Sequence, residues 1–328
     1  MENFEQTVLS NGQVVQVEDE VSVGISPFIE ANTIAVSLHE MKSDHIIPVF
    51  VKDNEPLISH MECIEATWDI ASELYSSETV LDPVIRVSHP IKGRVPEAKH
   101  KAAVDLLPWE TTLYYERMMF AIEIPTIEGE IDGNSLTLTV GGVKAYNQDN
   151  LYSRNQSEQH FKLFIGFQNR VCTNLCVWTD GLSEDVRVRD LDTLKMHIHN
   201  LISRYRSQMH LEAMKELTKH SLTEKQFAEF IGKCRMYQHL PPNKKQGLKP
   251  ILMGDQQFGM VVRDYYKDKS FCRLPDGSIN LWRLYNLLTG ANKSTYVDQF
   301  LDRSANAYDL VEQVKWALSG YRSSWYLA

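Results

Sequence analysis

A chain of 328 residues with 43% hydrophobic content can bury one large core or two ordinary ones, which excludes a disordered protein. Five cysteines, an odd and sparse set, exclude a disulfide scaffold and point to reduced thiols in a cytoplasm. The formal net charge of −9 divides unevenly: residues 1–150 carry 9 Lys and Arg against 25 Asp and Glu, net −16, and the remainder is net +7. Whole-chain acidity weakens non-specific DNA binding, whereas halves of opposite sign can dock on each other or serve different partners.

Residues 1–30 are acidic and weakly alternating, which predicts a flexible lead or an edge strand. They begin MENFEQTVLSNG, without the basic and apolar regions of a secretory signal, and no apolar run in the chain reaches a bilayer span. The expectation is a cytoplasmic protein that makes no membrane contact. Ile34, Val36 and Leu38 alternate as a strand does, and Ile46 to Val51 alternates through Pro48, as on a sheet edge. From His60 to Tyr75 the spacing becomes helical, with Met61, Ile64, Trp68 and Ala71 on one side. A short strand over Pro83 to Val87 leads into SHPIKGRVP, whose two prolines and glycine predict a loop, and Glu97 to Leu107 reads as a short helix ended by Pro108.

The centre of the chain, Thr112 to Gly181, is β-rich. Phe120, Ile122 and Ile124 share one parity; Leu136, Leu138 and Val140 follow the Asp132-Gly133 turn; Phe161, Leu163, Ile165 and Phe167 repeat the pattern. Three such strands predict an antiparallel sheet with one buried face. The paired glycines Gly141 and Gly142 predict a bulge, since their spacing matches no phosphate-binding loop.

Beyond the sheet the pattern is helical. Leu194, Ile198, Leu201, Tyr205 and Met209 form one stripe that could run to Leu217. Thr223 with Gln226 reads as a capping box. PPNKKQG, residues 241–247, is a basic linker and the candidate boundary between an α+β body over 31–240 and a helical part over 248–328 packed upon it. Leu281, Leu284, Tyr285 and Leu288 predict another helix, and Ser294 or Thr295 can cap a last one through Val314. The fold class is therefore α+β, a mainly antiparallel sheet covered by helices, with a helical C-terminal part.

Several constellations could carry chemistry. Cys172 and Cys176 have tolerable zinc spacing, but His197 and His199 diverge around a helix, so core cysteines are the better reading. Glu128, Glu130 and Asp132 alternate and could present three carboxylates to magnesium, as a nuclease needs; a solvated hairpin tip has the same pattern. His89, flanked by Arg86, Lys92 and Arg94, makes a cationic loop in the acidic half. Lys144, Arg170, Arg187, Arg189, Lys244 and Lys245 complete a set of possible phosphate contacts, with Tyr146 as a stacking platform. Such charge density is also what a solvated helix surface carries.

The runs TLYYERM, GGVKAYNQDNLY, FKLFIGFQNRVCTNLCVWTDG and NLLTGANKSTYVDQFLDR, with SHPIKGR, resemble a domain-of-unknown-function family of bacterial mobile elements and prophages. Cys172-Thr173-Asn174 and the Asn286 to Thr289 segment are similar to the broader "phage/plasmid-like protein" family. The resemblance implies a protein carried by phages, plasmids or conjugative elements, working beside replication or recombination. Joined to the cationic segments, it leads to a non-enzymatic protein that binds single-stranded or recombining DNA in a groove between sheet and basic helices. The alternatives are a module that binds a host or element-encoded protein, as a defence modulator would, and a magnesium-dependent nuclease. No cofactor is expected, and an oligomer could build a channel from several copies.

Overall fold

The computed structural model describes residues 27–44, 57–98, 101–149 and 158–327. The acidic lead up to residue 26 and the strand expected over Ile46 to Val51 lie outside the described residues. After β1 (Ile34–Val36) the chain turns directly into α1 (Leu38–Asp44), so Leu38 belongs to a helix and not to the strand its alternation suggested. Helix α2 (His60–Leu74) opens with a capping box in which the Ser59 hydroxyl accepts from the Glu62 backbone and the Glu62 carboxylate accepts from Ser59 N–H.

Strands β2 (Val84–Val87), β3 (Pro90–Arg94), β4 (Thr111–Tyr115) and β5 (Arg117–Ile131) form one long hairpin. β2 pairs with β5, and β3 pairs with β4. The loop expected at SHPIKGRVP is thus a strand: Pro90 stands at its first position, where a missing N–H is tolerated. The helix expected from Glu97 to Leu107 is replaced, among the described residues, by short 3-10 turns at Pro96–Ala98, Ala103–Asp105 and Pro108–Glu110.

β6 (Asn134–Ala145) follows a two-residue turn in which Asp132 and Gly133 both have positive φ, and β7 (Gln159–Asn169) pairs with it in turn. The expected bulge at Gly141 and Gly142 is absent, since both pair in straight register with Ala121 and Phe120. The glycine serves close approach instead: a Cβ on Gly141 would lie 2.1 Å from the Phe120 carbonyl oxygen. The ladder is broken at Ile124/Glu128, where Pro125 has no N–H to give. The short β8 (Leu175–Cys176) and β9 (Leu182–Val188) pair with β7, giving the order β1-β2-β5-β6-β7 with β8 and β9 against β7.

Helices cover this sheet. α3 (Leu191–Arg204) is capped by Asp190, whose carboxylate accepts from Thr193 N–H at 2.7 Å. The single stripe expected to Leu217 is broken at Tyr205, which is extended, and α4 (Ser207–Leu217) starts anew with Met209 exposed. The strand pair β10 (Ser221–Leu222) and β11 (Ile279–Asn280) brackets α5 (Glu224–His239), α6 (Pro242–Lys245) and α7 (Asp255–Lys267). α5 has the expected Thr223–Gln226 capping box. α8 (Leu281–Asn292) is buried almost all round, the signature of a helix running through a core. The last helix, α9 (Val297–Leu318), begins after Tyr296 with no side-chain cap, so the expected capping by Ser294 or Thr295 is not used.

Both faces of the sheet centre are covered, unlike the half-buried sheet expected. Phe120, Ile122, Phe161 and Phe167 face the main core with Phe258, Trp282 and Tyr285 from the helical part. On the other face Met119, Ala121, Val143 and Phe164 lie under Phe28, Ile29, Val297, Phe300 and Leu301. The run MMFAI in β5, apolar on both parities, is the local reason.

Candidate functional site

The β3–β4 ribbon continues the sheet's central hairpin beyond the sheet itself, and among the described residues it pairs with no other strand. Its root is fixed. Ser88 N–H donates to the Arg117 carbonyl, the Ser88 hydroxyl accepts from Arg117 N–H, and His60 Nε2 lies 2.7 Å from the Tyr115 carbonyl. At five residues per strand the ribbon reaches about 17 Å. Register places Lys92 opposite Leu113, and both are exposed, as is His89. The far end is closed by Val95 N–H on the Glu110 carbonyl and by a Lys101–Glu110 ion pair. It presents Val104 at 91% and Trp109 at 73% exposure. With Leu107 and Leu113 also exposed, the ribbon carries several large apolar side chains in water, and it is such a group, not a single residue, that marks a contact surface.

The other predicted site residues do not gather around this ribbon. Arg86 on β2 is spent internally, donating from Nε and Nη2 to Thr33 Oγ1 and the Thr33 carbonyl. Burial also lowers its pKa. Arg170 is exposed at the opposite end of the sheet, the length of the 12-residue β6 away, about 40 Å. Arg187 is held by Asp185 at 2.8 Å, and Arg189 lies 3.6 Å from Glu158. Lys244 is exposed on α6, while Lys245 donates to the Gln238 carbonyl and lies over the Tyr237 ring.

Lys144 and Tyr146, expected as a phosphate contact and a stacking platform, are both buried, so neither is a surface contact. Lys144 Nζ sits 2.5 Å from Asp149 Oδ2, with the Phe161 ring 4.2 Å away, and Asp149 Oδ1 accepts from His160 N–H. Tyr146 stacks on His60 at 4.4 Å. Burial lowers the Lys144 pKa against the pull of Asp149, raises that of the Tyr146 phenol, and pushes the neighbouring Cys63 thiol up to about 12. This cluster ties α2 to β6 and β7. The sequence held the signal: Lys144 has the parity of Leu138 and Val140 in an unbroken strand.

Neither metal constellation forms, and among the described residues no group of three or more potential ligands assembles. Glu128 and Glu130 are exposed near the hairpin end, while Asp132 leaves the strand in the turn and lies 3.5 Å from Arg283. Cys176 is buried, its thiol pKa raised by desolvation. The Cys172-Thr173-Asn174 and Asn286 segments do meet: Asn174 Nδ2 donates to the Asn286 carbonyl at 2.9 Å, and Lys293 donates to the Cys172 carbonyl and to Thr173 Oγ1. The contact knots the β7–β8 loop to α8.

A second surface feature was not foreseen. On the sheet face beneath the start of α9, Arg117 and Lys162 stand with Asp298 and Asp302; Lys162 Nζ is 2.6 Å from Asp302 and Arg117 Nε 4.0 Å from Asp298. Beside them lies a groove of about 610 Å³ between the segment Glu30 to Asn32, the start of α7 and the start of α9. Arg303 and Tyr296 line it, and the Arg117 guanidinium packs 5.9 Å from the Tyr296 ring centroid. Arg117, Lys162 and Arg303 sit among apolar or acidic neighbours along the chain, with no local run to mark them.

These features define an α+β protein: an antiparallel sheet covered by helices, a projecting two-stranded ribbon and a helical C-terminal part. The chain belongs to the family described as "Domain of unknown function, B. Theta Gene description (DUF3871)", whose model matches residues 10–327. No curated protein and no solved structure matches it. Among the described residues no helix is long and apolar enough to cross a membrane.

Proposed function

We propose that this is a non-enzymatic DNA-transaction protein, acting on single-stranded or recombining DNA, with the β3–β4 ribbon as its contact element. The observation that carries the reading is the pairing of exposed His89 and Lys92 with an exposed Trp109 on one projecting element. Cations along such a ribbon meet phosphates, and an aromatic at its end stacks on an unpaired base or wedges into a step. A two-stranded ribbon also has the width that a duplex major groove, about 12 Å across, admits. The resemblance to proteins of mobile elements and prophages supports a cytoplasmic setting beside replication or recombination.

Gel shift on a short single strand tests it. Binding weakens steeply with salt; Lys92→Glu reduces the salt slope by about 0.7. Trp109→Ala weakens binding by roughly 5- to 150-fold, the worth of one stacked base. Absence of binding at low salt, or binding indifferent to both substitutions, overturns the proposal. The exposed Val104 and Leu107 favour one second reading, in which the ribbon docks on a host or element-encoded protein. That reading holds if Trp109→Ala abolishes capture of such a protein while DNA is ignored.

A further inference from the structure

The groove beside α9 is built differently from the ribbon, and its lining describes a ligand. Gln299 and Arg303, one turn apart on α9, form one wall together with Tyr296 just before the helix begins. Arg303 is held flat against that wall: Nη1 donates to Thr295 Oγ1 at 3.0 Å and Nη2 to Gln299 Oε1 at 2.8 Å. The guanidinium has further N–H groups to offer an oxyanion. Of the carboxylates around it, Asp302 is held by Lys162 at 2.6 Å, Asp298 lies 4.0 Å from Arg117, and Glu30 stands on the facing wall, so that Arg303 is the one cation among the lining residues. Gln256 at the start of α7 and Asn32 bring carboxamides that both donate and accept, the pattern that reads a heterocycle's edge. Tyr296, 54% exposed, offers a π-surface at the rim. The volume, about 610 Å³, falls in the range of sites for small organic ligands and is too small for a folded partner.

We infer that this groove binds one nucleotide, its phosphate on Arg303, its base stacked on Tyr296 and read by the carboxamides of Asn32, Gln256 or Gln299. A free mononucleotide and one unpaired residue of a single strand share this chemistry. The site goes beyond the ribbon reading and does not depend on it.

Calorimetric titration of the full chain with each of the four deoxynucleoside monophosphates, and with a short single-stranded oligomer, tests the inference. At least one monophosphate binds saturably; its nucleoside and inorganic phosphate alone bind more weakly. Arg303→Gln weakens the monophosphate by about 10-fold or more, the cost of a lost charge-assisted hydrogen bond, and leaves the nucleoside unchanged. Tyr296→Leu weakens both. Gln256→Glu is the second variant, because an acidic residue suits the first turn of α7 and leaves folding intact while repelling phosphate. Tighter binding of the oligomer, still sensitive to Arg303→Gln, identifies an unpaired strand as the source; binding of the monomer alone identifies a free nucleotide. Failure of all four monophosphates and the oligomer to bind, or equal binding by wild type, Arg303→Gln and Gln256→Glu, overturns the inference. Lys92→Glu and Trp109→Ala separate the two sites: they weaken ribbon-dependent DNA binding and leave mononucleotide affinity as it was.

Discussion

His210 shows how much one side chain can be altered by its surroundings. It is fully buried, stacked on Trp178 at 4.8 Å and met edge-on by Tyr205 and Tyr308, and its Nδ1 lies 2.5 Å from the Tyr205 hydroxyl. Desolvation pushes its pKa down to about 3 from the usual 6.5, so the folded ring is neutral. The unfolded chain binds a proton at this residue below pH 6.5 that the folded chain refuses until about pH 3. The stabilisation is therefore complete above pH 6.5 and is lost as pH falls through that window, by up to about 5 kcal/mol. Urea midpoints measured from pH 7 to pH 4 fall steadily for wild type, and His210→Phe flattens the fall. An equal slope in both proteins would show that other groups dominate. None of this was legible in the sequence, because Trp178 and Tyr308 reach His210 from distant elements. Lys144 is the opposite case, since its parity with Leu138 and Val140 places it under the helices although a lysine usually prefers water.

At the scale of elements, what the sequence revealed depended on whether local rules and tertiary context agreed. The sheet strands, α2 and the Thr223 capping box were legible because hydrophobic period and turn chemistry coincide there. The ribbon was not, because two prolines and a glycine mimic a loop when cross-strand pairing to Thr111–Tyr115 is unseen. Helix α3 gave the converse error: its apolar stripe continues past Tyr205, while the backbone bends so that the Tyr205 hydroxyl can meet His210. The ribbon's independence has a measurable outcome. Replacing residues 95–110 by Asn-Gly, a two-residue turn suited to the β3–β4 ladder, removes the exposed Trp109 and Val104 and, among the described residues, takes only Ala98 from the buried set. The truncated protein melts within a few degrees of wild type, about 1 kcal/mol for a chain of this size, and loses DNA binding. A large drop in melting temperature would mean that the ribbon supports the body.

On the scale of the whole molecule, one hydrophobic core runs from Met41 in α1 to Leu327 near the end of the described chain. It includes Phe120 and Phe167 of the sheet together with Phe258, Trp282 and Tyr285 beyond the basic stretch at 241–247. That stretch, read as a boundary from its prolines and lysines, is in the fold a surface crossing between parts that share an interior. Differential scanning calorimetry accordingly gives one transition whose calorimetric and van't Hoff enthalpies agree. Two separable transitions would mean that the helical part unfolds as a unit of its own. The charge asymmetry between the halves is offset where Asp132 faces Arg283, whereas Arg117 and Asp298 pair in the reverse sense and many ion pairs are local.

The two outer rims of the β3–β4 ribbon present backbone amides and carbonyls without a neighbouring strand among the described residues. Rims of that kind recruit strands from other molecules, and what discourages it here is chemical: Pro90 withholds an amide, and Lys92 adds charge beside it. Lys92, proposed to meet a phosphate, is thus also one of the guards that keep one molecule from zippering onto the next. Evolution toward a more apolar ribbon would remove that guard and favour self-assembly.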